Sequence, residues 1–170
     1  GDAIGSLLGL GLALRDAGKS VQMILADGLP SSFKYLDGSK LIEKEPKGGH
    51  DTFITVDCAD FKRTGAIFEN FGQPDINIDH HKTNERFGKL NLIEADEVAT
   101  SAILTNHLPE WGFTFTHRIA AALFTGIISA SQASLAGLAV VFLIASAGQL
   151  YQRKRDIWSI LFLLSMIFVL

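Results

Sequence analysis

The run Ile76-Asn77-Ile78-Asp79-His80-His81-Lys82-Thr83-Asn84-Glu85-Arg86-Phe87-Gly88 places a carboxylate and two adjacent imidazoles between a short apolar segment and a polar turn. Ile76 and Ile78 alternate with Asn77 in the period-two pattern of a half-buried strand, so Asp79, His80 and His81 fall at its C-terminal end. In open α/β sheets ligands bind outside the carboxyl ends of the strands. Carboxylate oxygens together with imidazole nitrogens suit a divalent ion of the manganese, iron or zinc type. A bare His-His pair is more often a solvated loop. The surrounding chain gives this one its weight.

Two other segments put acids at equivalent places. His50-Asp51-Thr52-Phe53-Ile54-Thr55-Val56-Asp57-Cys58-Ala59-Asp60 is an apolar, β-branched run that stops at Asp57. Gly1-Asp2-Ala3-Ile4-Gly5-Ser6 leads directly into a stretch of helical length that ends at Gly18, where a C-cap glycine belongs. Asp2 then sits just before a helix N-terminus, whose amides and dipole favour anions such as phosphate. Taken singly, Asp2 reads as a helix cap and Asp57 as a solvated turn acid. Three acidic or imidazole sites, each at a strand end or helix start, point to one cleft.

Asp2-Ala3-Ile4-Gly5-Ser6, Val56-Asp57-Cys58-Ala59-Asp60 and Asp79-His80-His81 resemble successive motifs of the DHH phosphoesterases. With Lys82-Thr83-Asn84 and Ala99-Thr100-Ser101 beside them, they are most similar to the oligoribonuclease/pAp-phosphatase branch. The resemblance spans Gly1 to about Ser129. It rests on the order and spacing of the motifs rather than on any one of them. It implies a hydrolase of phosphate esters, acting on short oligoribonucleotides or nucleotide phosphates such as pAp, with two manganese ions in the intact family site. It also implies Asp2, Asp57 and His80 as metal ligands and His81 as the catalytic residue facing the substrate phosphate. Lys82, Thr83, Asn84 and Ser101 are candidate substrate contacts. For the Lys82–Asn84 turn a structural role is equally expected, and for Thr100 and Ser101 helix capping is the stronger expectation.

The chain also departs from the family pattern. The first family motif opens with a histidine and a second aspartate ahead of Gly1, and Ala130 stands where a fourth motif carries an aspartate. Ions about 3.5–4 Å apart need more anionic ligands than three matched positions supply. The resemblance therefore implies a partial, impaired enzyme. Two alternatives stand beside it: a cyclic-dinucleotide phosphodiesterase, and a catalytically dead, membrane-anchored nucleotide-binding module.

A net charge of −3 argues against a general nucleic-acid binder, which needs a basic face. A small cleft for short nucleotides stays compatible, because bound ions supply positive charge locally. The single cysteine, Cys58, excludes an internal disulfide framework, fits a reducing compartment and reads as a buried filler thiol. No basic n-region of a signal peptide is expected at Gly1. His50, His107 and His117 read as surface residues. Asp60 reads as support for the metal site or as a helix cap.

The elements alternate as in a βαβ protein, giving an expected three-layer α/β domain with a mainly parallel sheet over residues 1–129. Helices are expected over Ser6–Ala17, Lys62–Phe71, Glu97–Leu108 and Thr116–Ile128. Strands are expected over Val21–Ala26, Phe53–Val56, Ile76–Ile78 and Leu90–Ile93, with a short helix plus loop in Ser31–Gly49. From Ile119 to Gln152 there is no charged residue; Arg153-Lys154-Arg155-Asp156 follows, and Ile157 to Leu170 is again uncharged and apolar. Helices apolar on all sides belong to membranes or deep cores. Residues 130–170 are therefore expected to form an apolar helical hairpin, with helices at Ala133–Leu150 and Asp156–Leu170. The first reaches the roughly 20 residues a spanning helix needs when extended back to Ala130. The catalytic domain is expected in the cytoplasm with this tail as an anchor, although the positive-inside rule places Arg153-Lys154-Arg155 there too and the N-terminal part opposite.

Overall fold

Helix α1 (Asp2–Asp16) forms from an unbroken leucine-rich run that is apolar on most faces, and it buries Ile4, Leu8, Leu10, Leu12 and Ala13. A computed structural model describes residues 1–131, apart from the side chains of Ile67, Glu69 and Asn70. After α1 come β1 (Met23–Ile24), β2 (Ile42–Glu43), β3 (Ile54–Val56), β4 (Ile76–Asp79) and β5 (Leu90–Ile93). The last two elements among the described residues are the helices α2 (Thr100–Glu110) and α3 (His117–Ala130).

Among the described residues all strand pairing is parallel, as expected, but it divides into two sheets. One has the order β1-β2 and the other β3-β4-β5. β1 and β3 are not hydrogen-bonded to each other, and a cavity of about 680 Å³ lies beside both, floored by Leu7, Leu10 and Leu14 of α1. In the larger sheet Ile54 pairs with Ile76, Val56 with Ile78 and Ile78 with Leu92. These residues pack with Leu104, Leu108 and Leu123 into the main core. The opposite face carries the alternate residues Thr55 and Asn77, joined by a hydrogen bond of 3.1 Å.

The three helices pack against one another. α1 and α3 meet at two glycines: a Cβ on Gly5 would lie 2.6 Å from Gly126 Cα. Each interior glycine costs a helix about 1 kcal/mol. Here the cost allows a backbone-to-backbone approach that no side chain permits.

Several expected boundaries shift. α1 begins at Asp2 itself, with Gly1 as N-cap, so Asp2 is the first helical residue rather than the one before it. The expected helix at Lys62–Phe71 is two 3₁₀ segments, Phe61–Thr64 and Ala66–Phe71, interrupted at Gly65 with φ +95°. That glycine adopts a backbone that no α-helix continues through. Ser31–Gly49 contains a strand, β2, besides its 3₁₀ turns. α3 runs from His117 to Ala130, two residues beyond its expected limit at Ile128. The apolar hairpin expected over residues 130–170 and its membrane association fall outside the described residues, which end at 131. Among the described residues no helix is long and apolar enough to cross a membrane.

Candidate metal centre

Each candidate side chain reaches the site from the end of a secondary-structure element. β3 and β4 run parallel, so their C-terminal ends deliver Asp57 and the Asp79-His80-His81 run side by side. Asp57 lies one residue past β3 and still donates its N–H to the Ile78 carbonyl at 3.0 Å. Its φ of +54° is left-handed, a conformation that aspartate tolerates better than most residues. It turns the chain at the point where the carboxylate has to face the helices.

Asp2 arrives from the first turn of α1 and is 8% exposed. Its carboxylate accepts the Thr100 N–H at 2.7 Å and the Ser101 N–H at 3.0 Å. The Ser101 hydroxyl adds a third bond at 2.6 Å. Asp2 therefore caps the start of α2 from 98 residues away, and the positive end of that helix favours its charge. Ala99, the local N-cap of α2, makes no side-chain cap bond.

His80 connects the two acids. Its Nε2 lies 3.7 Å from Asp2 Oδ2 and 3.7 Å from Asp57 Oδ1. Its Nδ1 lies 3.2 Å from the Glu97 carbonyl, an acceptor that can be satisfied only if Nδ1 carries the proton. The Nε2 lone pair then points at the carboxylates, the arrangement of a metal-binding histidine held from behind.

His81 Nδ1 is bound to Asp79 Oδ1 at 2.7 Å, which leaves Nε2 as its free nitrogen. Asp79 is fully buried. It is held also by Asn84 Nδ2 at 2.6 Å and more loosely by the Thr100 hydroxyl at 3.5 Å. The Thr100 hydroxyl makes its closer contact, 3.1 Å, with Asp57.

Burial, and next the Asp2 carboxylate, push the Asp57 carboxyl up from its ordinary 3.8 to about 6. The Thr100 hydroxyl and the two imidazoles pull the other way without offsetting this. A buried carboxyl whose charge is opposed by a second carboxylate lies in an environment that a cation stabilises.

The structure thus brings Asp2, Asp57, His80 and His81 together. One donor atom from each of Asp57, His80 and His81 lies within 4.8 Å of the others. That triad contains His81 and omits Asp2, whereas the motif resemblance pairs Asp2 with Asp57 and His80. Asp2 belongs with them on geometry, because its Oδ2 stands as near to His80 Nε2 as Asp57 does.

The candidate substrate contacts separate. Lys82 and Thr83 are exposed on the turn after the site. Ser101 is fully buried with its hydroxyl on Asp2, so it has no surface to offer a substrate. Asn84 donates to Asp79 and to the Cys58 carbonyl, and accepts from Asn77 Nδ2 and the Arg86 N–H. Its amide is spent on the protein itself. Asp60 accepts the Lys62 N–H at 2.9 Å and caps a 3₁₀ segment. Cys58 is a free, buried thiol. His107, expected on the surface, is wedged between Glu94 and Glu110, and His50 stacks on Phe71.

Residues 1–127 match the family model "DHH family, N-terminal domain". The chain belongs to the DHH family. In an alignment 136 positions long that covers 76% of the chain, it is 38% identical to the bifunctional oligoribonuclease and PAP phosphatase NrnA of Thermus thermophilus, and it spans 39% of that protein. A crystal structure of an exopolyphosphatase-related protein from Bacteroides fragilis superposes with a TM-score of 0.64 at 23% identity. That alignment covers 76% of this chain and 42% of the other, and it establishes a shared fold. In this DHH domain the Asp-His-His run contributes His80 and His81 to the cluster, while Asp79 lies beneath them and orients His81.

Proposed function

We propose that this DHH domain is the metal-binding part of a phosphoesterase acting on short oligoribonucleotides or nucleotide phosphates such as pAp. The observation that carries the reading is the convergence of Asp2 and Asp57 on Nε2 of His80, with His81 beside them. The substrate class follows the activity named for the Thermus thermophilus relative, to which the chain is 38% identical.

The donor set fits a divalent ion of the manganese type: two carboxylates, one imidazole lone pair turned inward, and charges that repel each other without a cation. Asp2, Asp57 and His80 would hold it. A bound ion supplies an activated water and neutralises charge on the phosphoryl oxygens. The remaining work falls to the protein. α2 holds Asp2 in place through two backbone amides and the Ser101 hydroxyl. Asp79 fixes the ring of His81, so that Nε2 is the atom left to meet a phosphate oxygen. Two acids suffice for one ion; a pair of ions about 3.5–4 Å apart needs further anionic ligands.

The test is turnover. The protein is incubated with Mn²⁺ and, separately, pAp, a short oligoribonucleotide and a cyclic dinucleotide. Phosphate or mononucleotide release from the first two, abolished by Asp57→Asn, is the expected result. Cleavage of the cyclic dinucleotide alone would move the substrate class. Absence of turnover with all three would overturn the enzymatic reading.

A further inference from the structure

We infer that Asn106 and His107 are positioning residues for His80, acting through the 94–97 turn that joins β5 to α2. The inference rests on the metal reading above and extends it to two residues that touch neither the proposed ligands nor a substrate.

The turn is the source of the carbonyl that orients His80. Glu97 offers that carbonyl to Nδ1 at 3.2 Å. The turn closes on itself through the Glu97 N–H and the Glu94 carbonyl at 3.1 Å. The Glu94 N–H donates to the Asp79 carbonyl at 3.1 Å, which continues the β4–β5 ladder by one residue. Those backbone bonds close the turn and tie it to β4. The side chains of both glutamates are tied to α2: Asn106 Nδ2 donates to Glu97 Oε1 at 3.2 Å, and His107 Nε2 meets Glu94 Oε1 at 2.6 Å.

His107 is itself immobilised. Its Nδ1 meets Glu110 Oε2 at 2.9 Å and its ring stacks on Trp111 with centroids 5.4 Å apart. Both ring nitrogens face carboxylates, so both act as donors, and the two acids raise the imidazole above its ordinary 6.5. A charge-assisted bond is roughly twice as strong as a neutral one. The 94–97 turn is therefore clipped to α2 at both glutamates. The same helix holds Asp2 through its first two amides, so one rigid element registers a carboxylate ligand directly and the imidazole ligand through the turn. If the turn drifts, Nδ1 loses its acceptor and the ring is free to move its proton to Nε2, which removes the lone pair facing Asp2 and Asp57.

The experiment uses the full chain, first metal-free and then titrated with Mn²⁺. Long-range proton–nitrogen correlation spectra, recorded over a pH series that reaches below the His107 midpoint, read the tautomer of His80 from its neutral-ring signals, assigned with His80→Ala. The unsubstituted protein is expected to carry the proton on Nδ1. In the double variant Asn106→Ala with His107→Ala the signals move toward a tautomer mixture. Mn²⁺ affinity then falls about tenfold, the lower end of what loss of outer-sphere support costs. His107→Gln, which keeps a donor toward Glu94, recovers most of both effects. A double variant that keeps the Nδ1 proton overturns the proposal, as does a tautomer mixture in the unsubstituted protein. If the protein shows the Nδ1 tautomer yet binds no Mn²⁺, the metal reading fails, and the tautomer comparison still decides the positioning. Should the double variant not fold, Asn106→Ala alone, which removes one exposed hydrogen bond, is judged by the same spectra.

Discussion

Asn84 donates from Nδ2 to Asp79 Oδ2 at 2.6 Å, and this bond folds the turn after β4 back onto the buried carboxylate that orients His81. The same amide reaches the Cys58 carbonyl at 3.0 Å, so it also ties the β4 turn to the turn after β3. The two strand ends that deliver the site are thus joined by one side chain. Asn84→Ala leaves a fully buried carboxylate and a carbonyl short of a donor, at a cost of about 1–3 kcal/mol for such groups. The urea midpoint is expected to fall accordingly with an unchanged slope. Asn84→Asp is expected to be worse, since it sets a second carboxylate against Asp79. An unchanged midpoint in both variants would show that the bond contributes nothing.

Gly126 backs the opposite side of the site. A Cβ there would lie 2.0 Å from the Ser101 hydroxyl oxygen, 2.8 Å from Ser101 Cβ and 3.1 Å from Asp2 Oδ1. Alanine gains about 1 kcal/mol of helix propensity over glycine, against roughly 1–3 kcal/mol, occasionally more, for overpacking a close contact. Because the nearest atoms already hold Asp2, overpacking is expected to win. Gly126→Ala should lower stability in chemical denaturation and weaken metal binding together. A more stable variant with full metal affinity would show that the α1–α3 contact has room to spare.

The legible part of the fold was what local pattern encodes. Period-two alternation places β4 and β5 at Ile76–Asp79 and Leu90–Ile93 within a residue of their expected limits. The leucine-rich run after Gly1 gives α1, and Gly18, with φ +80°, stands just beyond it. The polar stretch that holds β2 hides a two-residue strand too short to leave a period. Asp57 and the two histidines were visible as polar residues ending apolar runs. The supports were not, because they are non-local. Ser101 and Thr100 look like ordinary helix-start residues, and only the fold reveals that they grip Asp2 from 98 and 99 positions away. Asn84 looked like a substrate contact because nothing in the turn indicates that its amide is already engaged by Asp79 and Cys58.

The pair of acids around His107 gives a pH signature. Hydrogen bonding to Glu94, then to Glu110, raises this imidazole above 6.5, with partial burial opposing. A group whose folded value is raised contributes stability that is fully present below its unfolded value and is lost as pH rises through the folded one. Nuclear magnetic resonance titration is expected to give His107 a midpoint above 6.5, and the protein should lose part of its stability on the alkaline side of that midpoint. His107→Gln should flatten this part of the pH–stability curve. A midpoint at or below the ordinary value would mean that the two glutamates do not hold the ring in solution.

The metal centre is tested most directly by binding, before any substrate is involved. Isothermal titration of Mn²⁺ into the protein should show one ion per chain. Asp57→Asn keeps the shape of the residue but removes its charge. It should weaken binding by more than the roughly 10–100-fold that loss of an outer partner costs. No heat of binding in the unsubstituted protein, or equal affinity in the two proteins, would contradict a metal site built from Asp2, Asp57 and His80.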